Sequence, residues 1–243
     1  MALDIIAIGP HPDDVELFCG GTIAKLINKG YTIGLIDMTR GEMGTRGSME
    51  ERDQEAANAA RILNITSREN LGLPDGSLNA RDPEQRLAVV NAIRKHQPQL
   101  VIGPAAKDRH PDHIQGMQLV EEAVFFSYVG GYKTEFERHK VHALLRYPMW
   151  WAPEADLIVD VTDSWEQRME AVKAYRTQFH TPGVEGPKTF LASEQFIDWV
   201  EGRGSQYGAA IGVRKGEPYL LRNPVPVDDP FDLLINSSGE ANP

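Results

Sequence analysis

"IIAIGPHPDDVELFCGGTIAKL", residues 5–26, decides the fold. The apolar run at residues 3–9 reads as a strand buried on both faces, the form taken by strands of a parallel sheet. Val15, Cys19, Ile23 and Ile27 then recur at helical spacing up to Gly30, a residue suited to ending a helix. Between strand and helix the chain places His11, Asp13 and Asp14. An Asp at a helix start is explained as a cap, which would be a role for Asp14. The second Asp and the histidine are left over, and adjacent carboxylates in a site of lowered dielectric repel unless something positive sits beside them.

Outward from this stretch the alternation of short apolar runs and amphipathic segments continues. Strands are expected at 31–39, from 69 into a turn ending at 76, at 99–104, 142–150 and 156–161. Helices are expected at 50–63, 83–96 and about 114–127, with a late helix marked by Trp165, Met169, Val172 and Phe179. The pattern predicts an α/β fold, a Rossmann-like three-layer αβα sandwich with a mostly parallel sheet. One domain is expected over residues 1–222. Residues 223–243, rich in Pro, Asp, Asn and Ser, are expected to form an extended or disordered tail.

The 243 residues carry a formal net charge of -10, which argues against a nucleic-acid-binding surface. The one cysteine, Cys19, has no internal partner for a disulfide, and the N-terminal stretch lacks the features of a signal peptide. No apolar run approaches the roughly 20 residues that span a bilayer. A soluble, cytoplasmic protein without a membrane partner is the expectation.

A second cluster, "DRHPDH" at residues 108–113, follows the strand expected at 99–104 and so falls at the same sheet edge as the first. In open α/β sheets ligands collect at the carboxyl ends of the strands. Imidazole and carboxylate groups converging there from two loops suit Zn²⁺, one per chain, which would relieve the paired aspartates. Three ligands drawn from His11, Asp13, Asp14, His110 and His113 leave two groups to act on water and on a carbonyl. Spacing alone does not say which aspartate binds metal and which is the base. A non-catalytic metal- or sugar-binding protein would need no such leftover pair.

Together with "TRGEMGTRG" (39–47), "RDQEAANAARIL" (52–63) and "NLGLPDG" (70–76), the two clusters resemble, in order and spacing, the LmbE-like (PIG-L) family of zinc-dependent N-acetylglucosamine deacetylases. The resemblance runs over about residues 3–220. It implies hydrolysis of the N-acetyl group of a GlcNAc derivative, with N-acetylglucosaminyl-L-malate of bacillithiol biosynthesis the expected substrate and diacetylchitobiose the alternative. By position it makes His11, Asp14 and His113 the zinc ligands and Asp13 the general base. His110 becomes the carbonyl-polarising histidine, with Asp112 orienting it. It assigns Arg52 to the substrate, with Arg109 a further candidate for an anionic group. Glu42, Met43 and Arg46 are placed against the sugar, although the residues alone read equally well as a glycine-rich connection. "GTRG" lacks the lysine and hydroxyl of a P-loop. Gln178 is expected near the pocket, the "GEPY" stretch at 216–219 is read as structural, and Trp150 and Trp151 as core or interface aromatics rather than a sugar-stacking wall. Homo-oligomers, trimers or hexamers, are also implied.

Overall fold

Strand β1 (Ile5–Gly9) is wholly buried. Its side chains divide by alternation, with Ile5 and Ala7 in one apolar layer and Ile6 and Ile8 in the other. Helix α1 (Asp14–Asn28) and strand β2 (Ile33–Asp37) complete the first βαβ unit, and β1 and β2 pair in parallel with Ile5 opposite Ile33. Next come α2 (Met49–Leu63), β3 (Ser67–Asn70), α3 (Pro83–His96), β4 (Leu100–Pro104), α4 (Pro111–Tyr128) and β5 (Ala143–Tyr147). The chain continues through β6 (Leu157–Asp160), α5 (Trp165–Lys173), α6 (Glu194–Ala210) and β7 (Gly216–Leu221). The structure, a computed structural model, describes residues 2–105, 107–151, 154–231 and 235.

The seven strands lie in the order β3-β2-β1-β4-β5-β7-β6. β1 to β5 run parallel, and β7 is antiparallel to both neighbours. Helices α1, α2, α5 and α6 contribute to the apolar layer on one face, and α3 and α4 to that on the other. The expected three-layer, mostly parallel architecture is therefore present. Strand order reverses between β1 and β4, the switch point where a crevice opens at the carboxyl ends of a doubly wound sheet. Both histidine clusters follow these two strands.

Several boundaries differ from expectation. The third strand sits at Ser67–Asn70, ahead of the expected 69–76. The late helix stops at Lys173, and Tyr175 to Phe179 continue as hydrogen-bonded turns, Phe179 N–H to Tyr175 O at 3.0 Å. Helix α6 and strand β7 were not anticipated. Of the expected tail, residues 223–231 are exposed and outside any strand, while 232–234 and 236–243 lie outside the described residues.

The "GEPY" stretch supplies β7 and a buried tie to α1. The Glu217 carboxylate accepts N–H bonds from Gly21 (2.9 Å) and Thr22 (2.7 Å) in the middle of that helix. Arg168 Nε lies 3.3 Å from the same carboxylate, and its Nη2 donates to Leu17 O. A Cβ on Gly21 would stand 2.9 Å from Glu217 Oε1, so the glycine is what admits the carboxylate.

Candidate active site

The loop leaving β1 is anchored to the end of β2, where the Thr39 hydroxyl and N–H both donate to Pro10 O, at 3.0 and 3.1 Å. Asp13 holds the N-cap position of α1 with φ 111°, on the left-handed side, and among the described residues its side chain makes no capping bond. Asp14 is the first helical residue, so it is not the cap expected from the sequence. Its Oδ2 instead turns back to accept the His11 N–H at 2.9 Å and lies 3.2 Å from His11 Nδ1.

The second loop meets the first from β4. His110 is the N-cap of α4, and its Nδ1 accepts the Asp112 N–H at 3.2 Å. In the neutral ring that bond leaves the proton on Nε2. Asp108 accepts the His110 N–H at 2.8 Å through Oδ1, and the same oxygen lies 2.9 Å from His113 Nδ1. His113 Nε2 is thereby aimed at Asp14 Oδ1, 3.5 Å away. His11, Asp14 and His113, all buried, each bring a ligand atom within 4.8 Å of the others. Two imidazoles and a carboxylate, one imidazole braced from behind by Asp108, fit a divalent zinc-type ion with a coordination position to spare.

The electrostatics follow from crowding. Burial opposes ionisation of Asp14, yet the charge of His113 and the hydrogen bonds from His11 together hold its carboxyl well below the usual range. Burial likewise opposes a charged His11, but Asp112, Asp14 and Asp75 around the ring raise it well above its ordinary value. Asp13 goes the other way, since burial pushes it up to about 7 against the pull of Arg52, with Asp14 adding to the rise. His110 is held below its ordinary value by burial and then by His113 and His11.

A cavity of about 500 Å³ opens over these groups, lined at its floor by His11, Asp13, Asp14, His110 and His113. Its walls include Leu17, Phe18, Trp150, Phe179 and Leu191. Met43, Arg46, Arg52 and Arg109 also reach it, as does Gln178. Arg52 is committed to the floor, with Nη2 donating to Asp13 Oδ2 at 3.0 Å and Nη1 to Gly41 O at 2.8 Å. Arg46 is a strut between loops, donating to Thr177 O and Pro187 O, both at 2.6 Å. Gln178 in turn donates to Arg46 O at 2.7 Å.

Two expectations need correction. Glu42 is not among the lining residues, because its carboxylate accepts the backbone N–H of Asp75 at 2.8 Å and of Arg40 at 3.2 Å. The Asp112 carboxylate lies within 4.8 Å of a His110 ring nitrogen but, among the described residues, makes no hydrogen bond to that ring. It accepts N–H bonds from Gly76 and Leu78 at 2.7 and 3.2 Å and meets His11 Nε2 at 3.3 Å, while its own backbone N–H donates to His110 Nδ1. Trp150 combines two roles: it packs among Phe18, Phe196 and Trp199, as expected of a core aromatic, and also faces the cavity with the Arg109 guanidinium 3.7 Å above its ring. Trp151 is 53% exposed.

Sequence reasoning assigned no role to Asp75 or Asp108. Both lie inside the quoted motifs, but what marks them is a bond to a histidine from another loop or from a residue five positions away, which spacing does not show.

The family model for GlcNAc-PI de-N-acetylase (PIG-L) matches residues 6–124. Diacetylchitobiose deacetylase of Thermococcus kodakarensis is 30% identical over 190 residues, spanning 72% of this chain and 70% of that protein. The probable N-acetyl-alpha-D-glucosaminyl L-malate deacetylase 2 of Bacillus subtilis is 28% identical over 186 residues, 72% of this chain and 82% of that protein. Among solved structures, the conserved protein TT1542 from Thermus thermophilus superposes with a TM-score of 0.85 at 36% identity, covering 93% of this chain and 97% of that one.

Proposed function

The chain belongs to the PIG-L (LmbE-like) family of de-N-acetylases, and from that premise we propose that it is a zinc-dependent hydrolase of the N-acetyl group of a GlcNAc glycoside. The observation that carries this reading is the five-group floor of the cavity, where one set of side chains suits a cation and a second set, Asp13 and His110, remains free to handle protons. Among the described residues no helix is long and apolar enough to cross a membrane.

His11, Asp14 and His113 would hold the ion. When bound, zinc supplies Lewis acidity toward the acetamide carbonyl and makes water at the site a stronger acid. Asp13, steadied by Arg52, takes the proton from the attacking water and returns it to the departing amine. Its proton affinity, raised by burial, suits a group that must both accept and release near neutral pH. His110, neutral and with its proton on Nε2, donates that proton as a hydrogen bond to the oxygen of the acetamide as negative charge develops there.

For the aglycone we favour L-malate, which would place the activity in bacillithiol biosynthesis. Arg109 supports this choice: its guanidinium lies at the cavity, stacked on Trp150, and among the described residues pairs with no carboxylate, so its N–H fork is available to an anionic aglycone. Assembly into trimers or hexamers belongs to the same reading. Comparing kcat/KM for N-acetylglucosaminyl-L-malate and diacetylchitobiose on zinc-loaded protein tests it. A preference for the malate glycoside that falls at least 10-fold in Arg109→Ala is expected, and a preference for diacetylchitobiose would refute the malate assignment.

A further inference from the structure

Asp75 stands in the turn after β3 with its side chain only 7% exposed, and it touches both halves of the site. One carboxylate oxygen, Oδ1, lies 3.1 Å from His11 Nε2. The other, Oδ2, accepts the Met43 N–H at 2.8 Å, while the Asp75 N–H donates to Glu42 Oε1 at 2.8 Å. The two loops are thus clasped by a reciprocal pair of hydrogen bonds. Gly76 closes the clasp: its φ is +72°, and a Cβ there would stand 2.5 Å from Met43 Sδ. Residues 41–47 form part of the cavity wall through Met43, Gly44, Thr45 and Arg46.

We propose that Asp75 is a positioning residue that couples this wall loop to His11, holding the imidazole with Nδ1 toward Asp14 while seating the loop against which substrate packs. The inference rests on the reading of His11 as a metal ligand. A carboxylate on the far nitrogen of a ligating histidine fixes the ring and its tautomer, and loss of such a partner weakens metal binding by about 10- to 100-fold. Asp112 meets the same nitrogen at 3.3 Å but is tied to residues 76 and 78, not to the wall loop. Only Asp75, among the described residues, joins His11 to the wall by its two carboxylate oxygens. Cavity occupancy and metal affinity are then linked, and the linkage is reciprocal.

The test separates the two ends of the clasp. Zinc affinity is measured by competition with a chromogenic chelator, without substrate, for the wild type, Asp75→Asn and Glu42→Ala. KM and kcat are then measured on zinc-saturated protein. Asp75→Asn presents an amide nitrogen to one of its two donors, so zinc affinity is expected to fall about 10- to 100-fold and KM to rise. Glu42→Ala removes the acceptor of the Asp75 N–H but leaves the Asp75 carboxylate on Met43 and His11, so it is expected to raise KM and to lower zinc affinity by much less than Asp75→Asn does. Thermal melting of the zinc-free proteins identifies a folding defect. If Asp75→Asn melts early, Asp75→Ser, which keeps one acceptor, replaces it. Unchanged zinc affinity in the Asp75 variant, or an equal loss in Glu42→Ala, would overturn the coupling. Because affinity is read without turnover, this result stands apart from any failure of the deacetylase assignment, which would show as no acetate release by the zinc-loaded wild type.

Discussion

Asp13 and Asp14 are adjacent, both buried, and driven in opposite directions: burial raises Asp13 to about 7, while His113 and His11 hold Asp14 down despite burial. In lone aspartates on a helix start no such division arises; here it comes from a second loop whose His113 reaches Asp14, while Asp13 is left to burial that the pull of Arg52 only partly offsets. Asp13→Asn keeps the shape and an acceptor for Arg52 but has no proton to shuttle, so kcat should fall by about 10²- to 10⁴-fold. Zinc content, read by elemental analysis, should remain one ion per chain, and loss of zinc from this variant would mean that Asp13 is a ligand. The raised His11 gives a second expectation. Below its folded pKa the zinc-free site carries an imidazolium that must deprotonate before it can ligate, and near pH 7 Asp13 is also partly protonated. Zinc binding at pH 7 should therefore release protons, and affinity should weaken as pH falls. Titration calorimetry in buffers of different ionisation enthalpy measures the release, and buffer-independent heats would contradict it.

Helix starts carry the site, and how well each was legible depends on whether its signal is local. The cap of α2 is local: Ser48 accepts the Glu51 N–H at 3.1 Å and the Glu51 carboxylate accepts the Ser48 N–H at 2.8 Å, a capping box four residues before Arg52. Ser48→Ala should cost about 1 kcal/mol, a fall in Tm of about 2–4 °C by calorimetry. Strands β1, β2 and β4 and helices α1 to α4 were readable because their apolar periodicity is strong and uninterrupted. Helix α6 was not: Gly202, Gly204 and Gly208 dilute its pattern, and its buried side chains Phe196 and Val200 pack on distant elements. Gly204 is close to Trp165, whose ring a Cβ would meet at 2.2 Å, so what weakens the helical signal is what lets α6 approach α5. In the site, the ligand and base candidates were legible from two motifs at strand ends. The contacts of Glu42 with Asp75 and of Asp112 with His11, Gly76 and Leu78 were not, because each joins loops distant in sequence.

Across the whole molecule, elements far apart in sequence meet at α1. Glu217 from β7 and Arg168 from α5 are both almost fully buried, and they engage Gly21, Thr22 and Leu17 within the helix whose first turn carries Asp14. Glu217→Ala would leave the Arg168 guanidinium and two N–H groups without that partner. A loss of about 3–5 kcal/mol by urea unfolding is expected, far larger than for the capping serine. A change below about 1 kcal/mol would show that water or another group takes over. The activity centre is thus held in place by residues on the last strand, some 200 positions from the motif they support.

The left-handed backbone at Asp13 implies a conflict between durability and catalysis. Non-glycine residues on that side of the map are disfavoured, asparagine least, and here the residue also carries a buried carboxyl whose folded pKa lies above its unfolded one. Ionising it in the folded state therefore costs stability: the deficit is absent below about pH 4, grows toward pH 7 and is complete above it. Zinc-free Asp13→Asn should escape that deficit, so its melting advantage over the zinc-free wild type should be larger at pH 8 than at pH 4. A laboratory lineage selected for thermal tolerance alone would be drawn to discard Asp13, the base of the proposed mechanism, and heat-resistant variants of this chain are to be screened for turnover before any other property.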